Sequence, residues 1–386
     1  MDTAIREFRV NISDEEINDL RLRLAQARWP DKETVSDWSQ GIPLAYTREL
    51  CDYWAKQYDM QRLAKRLNAY SQYLLEIDGV DIHFLHVRSP HPNAKPLILT
   101  HGWPGSVVEF LHVIDALCDP VAHGGAEADA FHVVCPSLPG YGFSGKPQSA
   151  GWGVEKIASV WDQLMQRIGY PRYLAQGGDW GAVVTGAIGE LEVSGCVGLH
   201  LNMVVAAPHP EDPPSERDQD AIAALMHYDE WDSGYSKQQS TRPQTLAYGL
   251  ADSPSGQLAW IIEKFWSWTD CADESGAHPE NAVSRDDLLD NVMVYWLTNS
   301  AGSSARLYWQ SFRNVAPGAV SIPVAASIFP KDIFRPPRRW VESRFSQLVY
   351  WGELDRGGHF AALERPGVFV EELRRGFGSM SIDPGQ

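Results

Sequence analysis

Tyr173-Leu174-Ala175-Gln176-Gly177-Gly178-Asp179-Trp180-Gly181, running on into the helix-like Ala182 to Glu190, decides how this chain is read. A short apolar strand gives way to a glycine-framed turn, and the turn opens onto a helix. This is the build of a nucleophile elbow, whose apex residue sits in a strained backbone conformation that leaves no room for side chains nearby. The apex here is Asp179, where serine-based catalysts carry Ser. Taken alone, an Asp capping a helix would look the same. The motifs on either side decide between the two.

Working outward, Thr100-His101-Gly102-Trp103-Pro104-Gly105-Ser106 follows the apolar run Leu97–Leu99. A loop after an early strand is where such elbows find the second half of an oxyanion hole. The spacing predicts that the backbone amides of Trp103 and Trp180 hold the oxyanion of an ester intermediate. Pro104-Gly105 alone would be an ordinary turn, but a turn does not explain the HGW before it. A further loop, Pro136 to Ser144, follows the strand Phe131–Cys135.

Towards the C-terminus, His359 lies in Gly357-Gly358-His359-Phe360, after the apolar strand that ends at Trp351. The order nucleophile, acid, histidine makes it the base, which as neutral imidazole would deprotonate water. The acid should follow the preceding strand, and Ser327-Ile328-Phe329-Pro330-Lys331-Asp332 places Asp332 there. Its part is to accept the second imidazole N–H. Glu353 and Asp355, on the loop leading to His359, remain competitors. A carboxylate nucleophile displaces at a saturated carbon and leaves an alkyl ester for water to hydrolyse. The electrophiles that fit are epoxides and alkyl halides, and acyl transfer is disfavoured.

Seven short strands carry this arrangement: Ile82–Val87, Leu97–Thr100, Phe131–Cys135, Tyr173–Gln176, Val197–Leu201, Val324–Phe329 and Leu348–Trp351. They are apolar on both faces and separated by helix-length stretches, as in a parallel sheet covered by helices. Residues 1–80 read as a helical N-terminal extension wrapping the core. Ser13 and Glu16 begin a helix there as a capping box, and helical pattern continues from Tyr46 to Leu67. The core runs over 81–206 and resumes over 311–386. Between these parts, residues 207–310 are helical, rich in Trp and Tyr, and read as a lid.

With 386 residues the chain suggests two to three domains. Its net charge of −17 repels nucleic acid and anionic membranes. No signal peptide is visible, and the charge-free run Val193–Pro210 is too polar to span a bilayer. The five cysteines are never in a CxxC pair, so a reduced, cytoplasmic protein without structural metal or disulfides is expected. A homodimer is compatible with the sequence, which does not fix the oligomeric state.

HGWPGS at 101–106, GGDWG at 177–181, FPKD at 329–332 and GGHFAALERP at 357–366 together resemble the α/β-hydrolase-fold epoxide hydrolases. The similarity is to the branch holding the microsomal and fungal enzymes, and it covers nearly the whole chain. RWP at 28–30 belongs to the N-terminal segment of that branch; the membrane anchor of the microsomal members is not seen. The resemblance implies two lid phenols that bind and protonate the epoxide oxygen. They correspond to Tyr235, in Gly234-Tyr235-Ser236-Lys237, and Tyr308, in Arg306-Leu307-Tyr308-Trp309, with Tyr248 and Tyr295 as fallbacks. It implies a cofactor-free conversion of an epoxide and water to a vicinal diol. The aromatic lid favours a bulky or aryl-substituted epoxide, in either xenobiotic breakdown or natural-product biosynthesis. Haloalkane dehalogenases carry a similar Asp-Trp elbow and are the rival within the class. A silent ligand-binding relative is the rival outside it, although that usually comes with a broken triad and none is broken here.

Overall fold

The computed structural model describes residues 4–191, 195–208, 211, 214–274, 276–313 and 318–380, so residues 193, 194, 209 and 210 of the charge-free run fall outside it. Leu97, Ile98, Leu99, Val133, Val134, Leu174 and Ala175 are all buried, on whichever face of their strand they lie. Such two-sided burial requires a sheet with cover on both faces. The strands are β1 (Arg6–Phe8), β2 (Gln72–Ile77), β3 (Val80–Val87), β4 (Lys95–Thr100), β5 (Phe131–Pro136), β6 (Tyr173–Gly177) and β7 (Cys196–Leu201). After a small hairpin of β8 (Ala272–Asp273) and β9 (Gly276–Ala277) come β10 (Val324–Ile328) and β11 (Leu348–Glu353). The large sheet has the order β1-β2-β3-β5-β4-β6-β7-β10-β11. It is parallel from β5 through β11 and antiparallel at the β1-β2-β3 end. The fold is that of an α/β hydrolase.

The sequence reading missed β1 and β2, so the first 80 residues contribute sheet as well as helix. It also joined two helices that the chain separates, Leu44–Lys56 and Arg62–Leu67. Between them Asp59 accepts a hydrogen bond from Gln61 N at 3.0 Å, a local turn that ends one helix before the next begins. The Ser13 capping box is formed, with Ser13 Oγ accepting from Glu16 N and the Glu16 carboxylate from Ser13 N.

In β4 and β6, Leu97 pairs with Leu174 and Thr100 with Gly177, so both strands end together. Their following loops, 101–106 and 178–180, therefore meet at the carboxyl edge of the sheet, where open parallel sheets place their sites. Helices between β7 and β10 are seated on that edge. Asn291 Nδ2 donates to Pro104 O at 2.7 Å, Tyr295 Oη to Gly105 O at 2.8 Å, and Ser303 Oγ to Gly140 O at 2.6 Å. The N-terminal helices grip the same layer through ions. Fully buried Asp290 receives Tyr58 Oη at 2.5 Å and Arg66 Nη1 at 2.5 Å, and also pairs with Arg62. No described helix is long and apolar enough to cross a membrane.

Candidate active site

Asp179 precedes the helix Trp180–Glu190 without a side-chain capping hydrogen bond, at φ 52° and ψ −129°, a positive-φ conformation that a non-glycine residue adopts only where its surroundings enforce it. The enforcement is visible in two glycines. A Cβ at Gly102 would lie 2.2 Å from Asp179 Oδ1, and one at Gly181 would lie 1.9 Å from Thr100 O. The elbow thus presses against the 101–106 loop so closely that only hydrogen fits between them. As a result Trp103 N donates to Asp179 Oδ1 at 2.8 Å. Trp180, one residue on, begins the helix, so its amide is among the N–H groups that a helix leaves unpaired at its start.

Strands β10 and β11 bring the other two residues in. Lys331 N donates to Gly357 O at 3.1 Å, and this backbone bridge sets the two loops side by side. His359 Nδ1 then lies 2.8 Å from Asp332 Oδ1, and its Nε2 lies 3.3 Å from Asp179 Oδ2. All three side chains are buried. Burial alone would push the imidazole down, but Asp332 and then Asp179 overcome it and hold His359 up to about 10. The two carboxylates thus favour the cationic imidazole while both are charged. The competitors for Asp332 are elsewhere: Glu353 is exposed and accepts from Trp351 Nε1, and Asp355 is exposed.

The two tyrosines pack on the tryptophans that flank Asp179. Tyr235, on helix Gly234–Thr241, stacks on Trp103 with centroids 4.7 Å apart and planes at 9°. Tyr308, on helix Ala301–Ser311, meets Trp180 edge-on at 4.9 Å and Trp103 at 5.9 Å. The two tyrosine rings are 5.7 Å apart, and both are buried. Burial first, then neighbouring phenols and Asp179, raises both well above the ordinary phenol value, which favours the protonated hydroxyl. Of the fallbacks, Tyr248 is 71% exposed and Tyr295 has its hydroxyl committed to Gly105 O.

Several polar groups here escaped the sequence reading. A small cavity of about 20 Å³, room for one water, is lined by Glu109, Gln176, Asp179, Asn202 and His359 among others. Gln176 Oε1 is buried there without a hydrogen-bond partner among the described residues. Burial pushes the Glu109 carboxyl up to about 8, against the pull of His359. Its one sequence signal was an acid inside the apolar run Val107-Val108-Glu109-Phe110. Glu364 accepts from the backbone N–H groups of Asp270, Gly358 and Phe360 at 2.8, 3.0 and 3.0 Å, bracketing His359 on both sides. His359 N itself donates to Trp268 O at 2.8 Å, so the histidine loop is tied to the end of helix Pro254–Trp268. Tyr228 Oη lies 3.1 Å from Tyr235 Oη. Among the described residues no cluster of three or more His, Cys, Asp or Glu could hold a metal, and the five cysteines are buried and unpaired.

Fold and site together define an α/β hydrolase with a carboxylate at the apex of its elbow. Comparison with known proteins narrows this. Residues 5–110 match the family model for the epoxide hydrolase N terminus, and residues 95–251 match that for the alpha/beta hydrolase fold. A Stigmatella aurantiaca (strain DW4/3-1) protein named "Putative epoxide hydrolase" is 50% identical over 97% of this chain and 85% of its own. Epoxide hydrolase 1 of Oryctolagus cuniculus is 35% identical over 96% and 88%. The crystal structure of juvenile hormone epoxide hydrolase from Bombyx mori superposes with TM-score 0.89 at 29% identity, covering 98% of this chain and 95% of that one. For the Aspergillus niger epoxide hydrolase the TM-score is 0.87 at 31% identity, covering 97% and 96%. The chain belongs to the epoxide hydrolase family.

Proposed function

We propose that this epoxide hydrolase opens its substrate by attack of Asp179 on a ring carbon, with Tyr235 and Tyr308 donating to the ring oxygen. The observation that carries this reading is the position of the Asp179 carboxylate, held between the Trp103 amide and His359, with two phenols packed on the flanking tryptophans. Phenols serve an opening epoxide, whose oxygen stays on the product and needs a proton. Substrate would come in from the cleft of about 1200 Å³ that Tyr235, Trp38, Trp231, Trp260 and Trp266 line. A cleft of that size and aromatic character suits a bulky or aryl-substituted epoxide. The helices over the site act as a lid, and the protein works in the cytoplasm on small molecules, apart from nucleic acid and membranes.

The charges explain how one histidine can be a cation at rest and a base later. Once Asp179 is alkylated its negative charge is gone, and with it part of what holds the His359 proton. His359 loses that proton to the phenolate or to solvent and becomes neutral imidazole. It then takes a proton from water, whose oxygen adds to the ester carbonyl carbon, while the Trp103 and Trp180 amides bind the oxyanion. Collapse breaks the bond to the diol oxygen, which takes the second proton of the added water, restores the Asp179 carboxylate with one oxygen from water, and leaves His359 cationic again.

His359→Gln separates the two half-reactions. Mixed with styrene oxide, this variant should gain the whole epoxide mass on the peptide containing Asp179 and hold it. Mixed with a bromoalkane it should gain nothing; an alkyl adduct with loss of HBr, formed only with the halide, would instead make the protein a dehalogenase. A panel of epoxides leaving no adduct on Asp179 would overturn the assignment of the nucleophile.

A further inference from the structure

A buried lysine stands next to the phenol of Tyr235. Lys264 lies on helix Pro254–Trp268 with its side chain only 7% exposed. Its Nζ stands over the Tyr235 ring, 4.9 Å from the centroid, and 5.5 Å from that of Trp268. Its carboxylate partner is the adjacent Glu263, at 2.6 Å, on the wall of the large cleft. Burying an ammonium against two aromatic rings is costly unless something is gained.

The surroundings of Tyr235 define what that gain is. Its hydroxyl lies 3.1 Å from the Tyr228 hydroxyl, and Trp103 stacks on its ring. Burial, Tyr228 and Asp179 all make its proton harder to lose. Yet when the epoxide C–O bond breaks, the electron pair goes to oxygen, and that oxygen takes a proton from a phenol. A phenolate forming in an apolar pocket beside another phenol needs a compensating charge. A ring over which a cation already stands gains attraction as negative charge spreads into it.

We propose that Lys264 is a positioning residue that strengthens Tyr235 as the acid for ring opening, acting through the face of its ring. This rests on the epoxide-opening reading given above. The effect is confined to the alkylation half-reaction, because hydrolysis of the ester leaves Tyr235 a neutral phenol.

The test is single-turnover kinetics with styrene oxide, quenched at intervals and read as the mass of alkylated Asp179 peptide. Lys264→Met should slow formation of the adduct about 10- to 100-fold and leave its breakdown within about 2-fold. Lys264→Arg, which keeps a cation over the ring, should recover most of the rate. The decisive arm is a double-mutant cycle. In a Tyr235→Phe background Lys264→Met should have almost no further effect, whereas in Tyr308→Phe it should keep its full effect. Equal slowing of both half-reactions, or the same loss with and without the Tyr235 hydroxyl, would reduce Lys264 to a packing role and overturn the proposal. Should Lys264→Met not fold, Lys264→Gln serves in the same cycle. An unmutated protein that forms no adduct at all would instead remove the epoxide-opening reading beneath it.

Discussion

Asp332→Asn tests the relay where the geometry is most explicit. The substitution keeps the shape of the side chain and removes a charge 2.8 Å from His359 Nδ1. A hydrogen bond to a charged group contributes roughly 1.5–3 kcal/mol, and each 1.36 kcal/mol is tenfold in rate, so ester hydrolysis should slow by about 10- to 100-fold. Alkylation needs no base and should stay within about 3-fold. Asp179 should therefore accumulate as the ester, visible as a burst of covalent adduct in quenched samples. The pH profile adds a second sign. His359 is held up to about 10 largely by Asp332 and Asp179 against burial. In the ester only Asp332 is left, and in Asp332→Asn neither charge is. The base is active when deprotonated, so the acid limb of the hydrolysis rate should move to lower pH in the variant. Unchanged hydrolysis, or the same burst from Glu353→Gln or Asp355→Asn, would refute the assignment of the relay.

Four shorter predictions follow from the same geometry. Tyr235→Phe and Tyr308→Phe should each slow alkylation by about 10- to 100-fold in single turnover while leaving hydrolysis of preformed ester alone. Glu109→Leu removes an acceptor from the one-water cavity and should slow ester hydrolysis about tenfold, with Glu109→Gln, which keeps a carbonyl, less affected; equal rates in the two variants would exclude a part in holding water. Glu364→Gln replaces an acceptor of backbone N–H groups by an NH2, so the loop on either side of His359 loosens, and kcat should fall at little changed KM. Asp290→Ala leaves Arg62 and Arg66 to Asp286 and Asp287 and removes the acceptor of the Tyr58 hydroxyl, and should lower stability by about 1–3 kcal/mol in urea unfolding, with the adduct-forming chemistry retained below the transition.

What the sequence disclosed is what chain order encodes. The elbow is local: strand, glycines, apex and helix lie within twenty residues, and the steric need for Gly102 and Gly181 shows as letters. His359 and Asp332 follow from strand order, because successive parallel strands end on the same edge. The first two strands were harder to see. Arg6–Phe8 is charged and mostly exposed, and Gln72–Ile77 alternates too weakly to stand out, so their pairing depends on partners distant in the chain. Buried ions were invisible for a different reason. Lys264, Asp290, Glu109 and Glu364 sit in helical or apolar stretches where a single charge ordinarily faces water, and only tertiary packing brings Tyr235, Arg62, His359 or three backbone amides to meet them. Tyr235 and Tyr308 were reached by family resemblance, since nothing local separates them from the other tyrosines.

The electrostatics of the triad also impose an order of events. In the proposed mechanism Asp179 is both the nucleophile and one of the two charges that favour the His359 proton, so alkylation weakens the hold on that proton. A neutral histidine at rest could deprotonate water in an empty site, but the result would be idle hydroxide beside a carboxylate. A cationic one is silent until alkylation cancels the charge that holds its proton. In the proposed mechanism the arming of the base is thus tied to formation of the ester it must cleave. Asp179→Asn, which mimics the loss of that charge, should accordingly lower the His359 pKa from about 10. Imidazole chemical shifts followed by NMR through the titration would measure it. A His359 that titrates at the same pH in Asp179→Asn as in the unmodified protein would break the link between nucleophile and base.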